Sequence, residues 1–322
     1  MHPTTRRALF GAGALLAAAP AFAQTALPDR PLRMILPVGP GGLTDAVGRI
    51  LAEQMGAALG RTVVSENVAG AGSTLGALAL LRAPADGMTL MTATNNHPVM
   101  NLLYPSFQHD PATAFAPVAL AARQTFMLVV HKDVPATDMP GLIAWLRREG
   151  AAVNLGAGTP GTTNAMAGEL LKATLNLDFT IVPYRAMANI VQDLITGRTQ
   201  MMIDTPTVLR PLVDSGAVRA LATTGAQRGA PDPSLPTMIE GGVPGFDVSA
   251  WQIIYVRADT PAPVLATLRA AARDALANPA TVERLARIGV DTWPDTSPEA
   301  AQAHLRAEIE RWAPLAARIR AG

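Results

Sequence analysis

A layered α/β fold in two lobes is predicted by three features of this sequence: a length of 322 residues, short apolar runs alternating with longer amphipathic stretches, and a glycine-rich strand-to-helix loop in each half. The length exceeds a comfortable single small domain and suits two units of roughly 100 to 150 residues. Strands are predicted at Leu32 to Pro37, Thr62 to Glu66, Met88 to Thr92, Phe126 to His131, Phe179 to Pro183, Met201 to Asp204, Val218 to Thr223 and Trp251 to Val256, with a short run at Val153 to Leu155. The helical stretches between them imply largely parallel pairing. Asp45 to Leu59 is a predicted helix because Val47, Ile50, Leu51, Met55, Ala58 and Leu59 share one face and Gly60 ends it. Asn164 to Leu175 repeats that pattern in the second half. Thr260-Pro261 and Ser297-Pro298 each read as a capping hydroxyl before a proline at the first helical position, and an Ala/Leu/Arg-rich helix follows each.

Composition removes several function classes. The 26 basic and 25 acidic residues leave a net charge of +1, with no basic stripe carrying interleaved aromatics, so nucleic acid is not an expected partner. The absence of cysteine excludes disulfides, thiolate metal sites, a cysteine nucleophile and a lipid-bearing cysteine. Residues 1–23 read as a signal peptide: Arg6 and Arg7, the apolar stretch Ala8 to Ala19, then Ala21-Phe22-Ala23 before Gln24. The segment Thr5-Arg6-Arg7-Ala8-Leu9-Phe10 fits a twin-arginine signal and an ordinary Sec signal alike, so export is expected by one route or the other. Beyond it no apolar run approaches the ~20 residues of a membrane span.

The two glycine-rich loops are the first candidates for function. Pro37-Val38-Gly39-Pro40-Gly41-Gly42-Leu43-Thr44-Asp45 joins a predicted strand to a predicted helix, and Gly156-Ala157-Gly158-Thr159-Pro160-Gly161-Thr162-Thr163 does the same in the second half. Glycines allow close backbone approach, and the free N–H groups of a helix start favour an anion. Each loop alone reads equally as a tight turn, with Thr162 or Thr163 as an ordinary N-cap. The first is not a nucleotide loop, since the Lys and Ser/Thr of that motif are absent from it. If strand order reverses at each loop, a ligand belongs where the two face one another. Further polar candidates are Asn95-Asn96, just past a strand end, and Asp204, which closes a strand and equally reads as a helix cap for the segment holding Val208 and Leu209.

No catalytic constellation assembles. His97, His109, His131 and His304 lie far apart in unrelated contexts and read as surface or loop residues; the patterns H-E-x-x-H and G-x-S-x-G are absent. No enzyme activity, cofactor or metal is expected.

Several ordered motifs resemble one family over essentially the whole chain beyond the leader. Pro31-Leu32-Arg33-Met34-Ile35-Leu36-Pro37 leads into Gly41-Gly42-Leu43-Thr44-Asp45. Val63-Val64-Ser65-Glu66-Asn67 with Gly70-Ala71-Gly72 comes next, and then Ala85-Asp86-Gly87-Met88-Thr89-Leu90. Gly168-Glu169-Leu170, Val182-Pro183-Tyr184-Arg185, Asp193-Leu194-Ile195-Thr196-Gly197, Arg219-Ala220-Leu221-Ala222 and Leu235-Pro236-Thr237-Met238-Ile239-Glu240 continue the series. In these the sequence resembles the Bug-type solute-binding proteins of tripartite tricarboxylate transporters. The resemblance implies a two-lobed periplasmic-binding-protein fold (type II, Venus-flytrap) with the ligand cleft between its domains, a periplasmic location, and delivery of a small carboxylate ligand to membrane permease subunits. It also implies binding by loop amides, hydroxyls and waters rather than by an arginine clamp. Carried over by position, Gly41, Gly42, Thr44, Gly161 and Thr162 would contact a ligand carboxylate, with Asn95 and Asp204 nearer its other end. The expected division is 27–123 plus 226–322 for lobe 1 and 124–225 for lobe 2, in a monomer. A docking role at a membrane sensor kinase is the alternative function for the same fold.

Two positions depart from the family pattern. Ala165 stands where a histidine is frequent, and Met88 where tyrosine is usual. The first departure predicts a smaller or less charged ligand.

Overall fold

A computed structural model describes residues 27–228 and 232–321; the signal peptide expected at 1–23 lies outside the described residues. The chain first lays down β1 (Leu32–Leu36), α1 (Leu43–Leu59), β2 (Val63–Asn67), α2 (Thr74–Arg82), β3 (Thr89–Ala93), α3 (Met100–Leu103) and β4 (Phe115–Thr125). It continues with β5 (Met127–His131), α4 (Met139–Glu149), β6 (Asn154–Ala157), α5 (Thr163–Leu175), β7 (Thr180–Pro183), α6 (Met187–Ile195), β8 (Met201–Asp204), α7 (Pro206–Asp214) and β9 (Val218–Thr223). It returns through β10 (Ser249–Arg257), α8 (Ala262–Ala277), α9 (Pro279–Arg287), β11 (Asp291–Thr292) and α10 (Pro298–Ala321).

These strands make two sheets, of order β11-β4-β10-β3-β1-β2 and β7-β6-β8-β5-β9. The expectation of largely parallel pairing needs correction. β1 is parallel to β2 and β3, and β6 to β7 and β8, whereas β10 runs antiparallel to β3 and β4, and β5 antiparallel to β8 and β9. The antiparallel pairs centre on β5 and β10, the strands by which the chain enters each sheet from the other without a helical crossover, and β11 adds one more at the edge beside β4.

Both faces of each sheet are covered, which is why the strands read as continuous apolar runs. On β1, Met34 and Leu36 face Leu51 and Met55 of α1 and Leu268 of α8, while Ile35 between them faces Ala77 and Leu80 of α2. In the second sheet Leu155 and Ile203 pack toward α4 and α5, and Val129 and Met202 toward α6 and α7.

Three segments join the two halves. β4 passes into β5 through Phe126, and the chain returns between β9 and β10. After β9 the chain stays against the second sheet before it returns. Met238 N–H donates to Thr223 O at 2.9 Å, and Met238, Val243, Phe246 and Val248 are buried in the core of the second sheet. α10 is the third join: Ala301 and Leu305 lie in the core of the first sheet, Trp312, Leu315 and Ala316 in that of the second.

The predicted capping hydroxyls divide. Ser297 Oγ accepts Ala300 N–H at 3.1 Å and starts α10 as expected. At α8 the capping position is Pro261 itself, without a side-chain bond, and Thr260 lies one residue outside.

Gly76 shows how tightly the first loop is seated on α2. A Cβ there would lie 2.6 Å from Pro37 Cβ and 3.2 Å from the Val68 carbonyl oxygen. Gly76→Val is therefore expected to cost about 2–3 kcal/mol through overpacking, read as a lower urea midpoint with an unchanged slope.

Candidate ligand cleft

β1 lies between β2 and β3, and β6 between β7 and β8, so strand order reverses at both. Each of the two strands ends in one of the glycine-rich loops, the arrangement that places ligands at strand carboxyl ends in open α/β sheets. The loops are built alike. Gly41 has φ 89° and Gly161 φ 90°, a region that favours glycine, and each is followed by an extended N-cap residue, Gly42 (φ −87°, ψ 172°) or Thr162 (φ −71°, ψ 151°). The N-cap residues of α1 and α5 make no side-chain cap bond, and apart from Ala165 N–H, which the Asn164 side chain accepts, the first-turn N–H groups are left for another partner.

Side chains behind the loops hold them open. Asp45, buried in the first turn of α1, accepts Gly41 N–H at 3.0 Å, Arg49 Nε–H at 3.0 Å and Asn67 Nδ2–H at 2.8 Å. Burial pushes its carboxyl upward, but the Arg49, Asn67 and Gly41 hydrogen bonds outweigh that and hold it below the ordinary carboxylate value. Ser73 Oγ fixes the Pro37 carbonyl at 3.0 Å. In the second loop Asn164 Oδ1 accepts Gly158 N–H at 3.1 Å and Ala165 N–H at 2.9 Å, while Asn164 Nδ2 donates to Asp204 Oδ2 at 2.9 Å.

Both helix starts open on one cavity of about 410 Å³. Of the residues singled out from sequence, Gly42, Thr44, Asn95, Thr162 and Asp204 line it. Gly41 and Gly161 do not; they shape the turns that deliver their neighbours. Asn95 spends its carboxamide on β10, donating to Ser249 O at 2.7 Å and accepting Trp251 N–H at 3.3 Å. Asp204 is buried, and burial pushes its carboxyl above the ordinary value against hydrogen bonds from Thr205 N–H and Asn164. It is not a helix cap: the N-cap of α7 is Thr205.

Sequence reasoning missed other lining residues. Arg123 and Gln124 lie on β4, and Trp251 and Gln252 on β10; Tyr184 and Arg185 follow β7. Tyr184 Oη donates to Asp193 at 2.8 Å, and burial with that bond pushes it up to about 12. The only signal for Tyr184 and Arg185 was the family block that contains them; for Arg123 there was none, because β4 was not foreseen as a strand.

The histidines also differ from expectation. His97 is buried between Phe115 and Tyr255, His131 is buried and His304 lies between Trp251 and Trp293; His109 alone is exposed. Burial pushes His97 down to about 4, so it is neutral. None of the four lines the cleft, and no group of three His, Asp or Glu among the described residues could hold a metal. Ala165 packs in the core of the second sheet, away from the cavity.

The model of the family described as "Tripartite tricarboxylate transporter family receptor" matches residues 47–320. The chain belongs to this family. Three solved structures of similar proteins show the same fold. MatC from Rhodopseudomonas palustris with bound malate is 29% identical, with a TM-score of 0.77, covering 90% of this chain and 99% of that one. The periplasmic binding protein BugD is 31% identical, with a TM-score of 0.76 over 89% and 97% of the two chains. R. palustris Rpa4515 with adipate is 32% identical, with a TM-score of 0.78 over 90% and 97%. As a member of the tricarboxylate transporter receptor family, the chain is a solute-binding protein of the periplasmic type. No described helix is long and apolar enough to cross a membrane.

Proposed function

We propose that this protein captures a small carboxylate-bearing metabolite in the periplasm and delivers it to the permease subunits of a tripartite transporter, performing no chemistry on it. The observation that carries this reading is the pair of uncapped helix starts, α1 from one sheet and α5 from the other, opening on a single cavity. Each offers backbone N–H groups and the positive end of a helix dipole to an anion. The backbone N–H groups around Gly42 and Thr44 would meet the carboxylate from one lobe and those around Thr162 from the other, with Gly41 and Gly161 setting the turns and Asn95 bracing β10. Asp204 would face a neutral or hydrogen-bond-donating part of the ligand. The malate and adipate bound by two relatives are carboxylates of the expected size. Binding would favour the closed arrangement of the lobes, because only there do both helix starts reach the same ligand. The export signal at 1–23 supplies the route, and the working unit is a monomer.

A thermal-shift screen against mono-, di- and tricarboxylates, amino acids and uncharged controls tests this. A ligand at 100 times its Kd is expected to add about 2.7 kcal/mol of stability, a clear rise in Tm. Thr44→Ala and Thr162→Ala are expected to shrink that rise for the same compound. A shift produced only by uncharged compounds would overturn the carboxylate assignment.

A further inference from the structure

Arg123 stands apart from the other described arginines. The part-buried ones all have an oxygen partner: Arg33 has Glu66, Arg61 the Pro28 carbonyl, Arg219 the Val134 and Ala136 carbonyls, Arg257 Asp259, Arg269 the Pro117 carbonyl and Arg284 Glu53. Arg123 is also part-buried, and among the described residues it has no carboxylate or carbonyl partner. Its position is well fixed. The strand residue is paired with Trp251 of β10 on one side and Asp291 of β11 on the other, and its guanidinium lies 5.2 Å from the centroid of the Trp293 ring. That indole is itself pinned, donating to Ala122 O at 3.0 Å and packing on His304. Removing a guanidinium from water without a counter-charge is costly, and a stacked aromatic ring offsets only part of the cost. What faces Arg123 is the cavity, whose one lining carboxylate is Asp204 on the second sheet.

We infer that Arg123 receives a second anionic group of the ligand, so that this cleft selects dianions whose first carboxylate sits on the helix starts. The inference rests on the carboxylate reading of the cleft and adds a residue to it. The planar fork of a guanidinium holds a carboxylate by two parallel hydrogen bonds, and a residue already locked on a strand loses little freedom in doing so. Arg185, exposed on the loop after β7, lacks that preorganisation. The rival occupant is internal: lobe closure could bring Arg123 to Asp204, in which case the arginine would be a latch indifferent to ligand charge.

Calorimetric titration of the purified protein with succinate, glutarate, adipate and pimelate, each beside its monocarboxylate of equal length, separates these cases. Wild-type protein is expected to bind one dicarboxylate well above its monocarboxylate partner. Arg123→Gln should weaken that dicarboxylate about 10- to 100-fold and change the monocarboxylate by less than about threefold, while Arg123→Lys recovers part of the loss. Unliganded melting of both variants should match the wild type. Equal loss for both ligand classes would make Arg123 a closure latch, and no loss would make it a bystander; either overturns the inference and leaves the carboxylate reading standing. If wild-type protein binds none of these acids and the wider screen finds only uncharged ligands, the carboxylate reading falls and the inference with it.

Discussion

Glu308→Ala is expected to lower the free energy of unfolding by about 3–5 kcal/mol, the largest effect of any single side-chain truncation considered. Glu308 is buried, and its Oε2 accepts the indole N–H of Trp251 at 2.9 Å and of Trp312 at 2.8 Å. Arg311 stands 3.3 Å from its other oxygen. Truncation orphans two buried N–H donors and opens a cavity between β10 and α10. Glu308→Gln keeps an acceptor for both indoles, so its cost should be under about half as large. Urea unfolding followed by tryptophan fluorescence measures both, and equal costs for the two variants would show that the carboxylate's charge, not its acceptor geometry, is what the site needs. Because Trp251 lines the cleft, the alanine variant should also bind ligand more weakly.

Asp45→Ala is expected to weaken binding about tenfold or more and to cost about 2–4 kcal/mol of stability. The aspartate touches no ligand-facing surface of its own; it holds Gly41, Asn67 and Arg49 in place, and so fixes the turn that presents Gly42 and Thr44. The pH dependence has a definite sign. The folded carboxyl titrates below its ordinary value of 3.8, so between the two values the unfolded chain holds more protons and stability rises with pH. The stabilisation from Asp45 is thus complete above the ordinary value and is lost as pH falls through the folded one. Urea midpoints of wild type and variant should differ most near neutrality and converge in acid; a difference that persists unchanged would assign the effect to packing rather than to the charge.

Much of this was legible because local chemistry and global fold agree. Met201–Asp204 and Val218–Thr223 are strands with the predicted bounds, since their β-branched and apolar residues sit in a sheet covered on both faces. The two loops announced themselves through glycines that the backbone needs at Gly41 and Gly161. β4 was illegible for the complementary reason. Phe115–Thr125 is alanine-rich and contains Pro117, poor strand chemistry; pairing with β10 overrides it, and the register shift between Ile254 and Tyr255 absorbs the proline. Missing β4 hid Arg123 and Gln124. The histidines were misplaced because burial of His97 beside Tyr255 depends on contacts some 158 positions apart in the chain, which no local pattern records.

The place of β10 in the first sheet also bears on how the molecule assembles. The strand sits between β3 and β4 in the first sheet, yet Asn95 at the end of β3 and Ser249 at the start of β10 are 154 residues apart. The second sheet draws all its strands from one continuous stretch between β5 and β9 and can form before β10 is available. The first sheet stays split, with β1, β2 and β3 on one side of a gap, until the chain has gone out through the second and come back. Such non-local pairing carries a large loop-closure cost and folds slowly. Late insertion of β10 is thus the expected slow step of folding, and until it occurs the two parts of the first sheet are not joined.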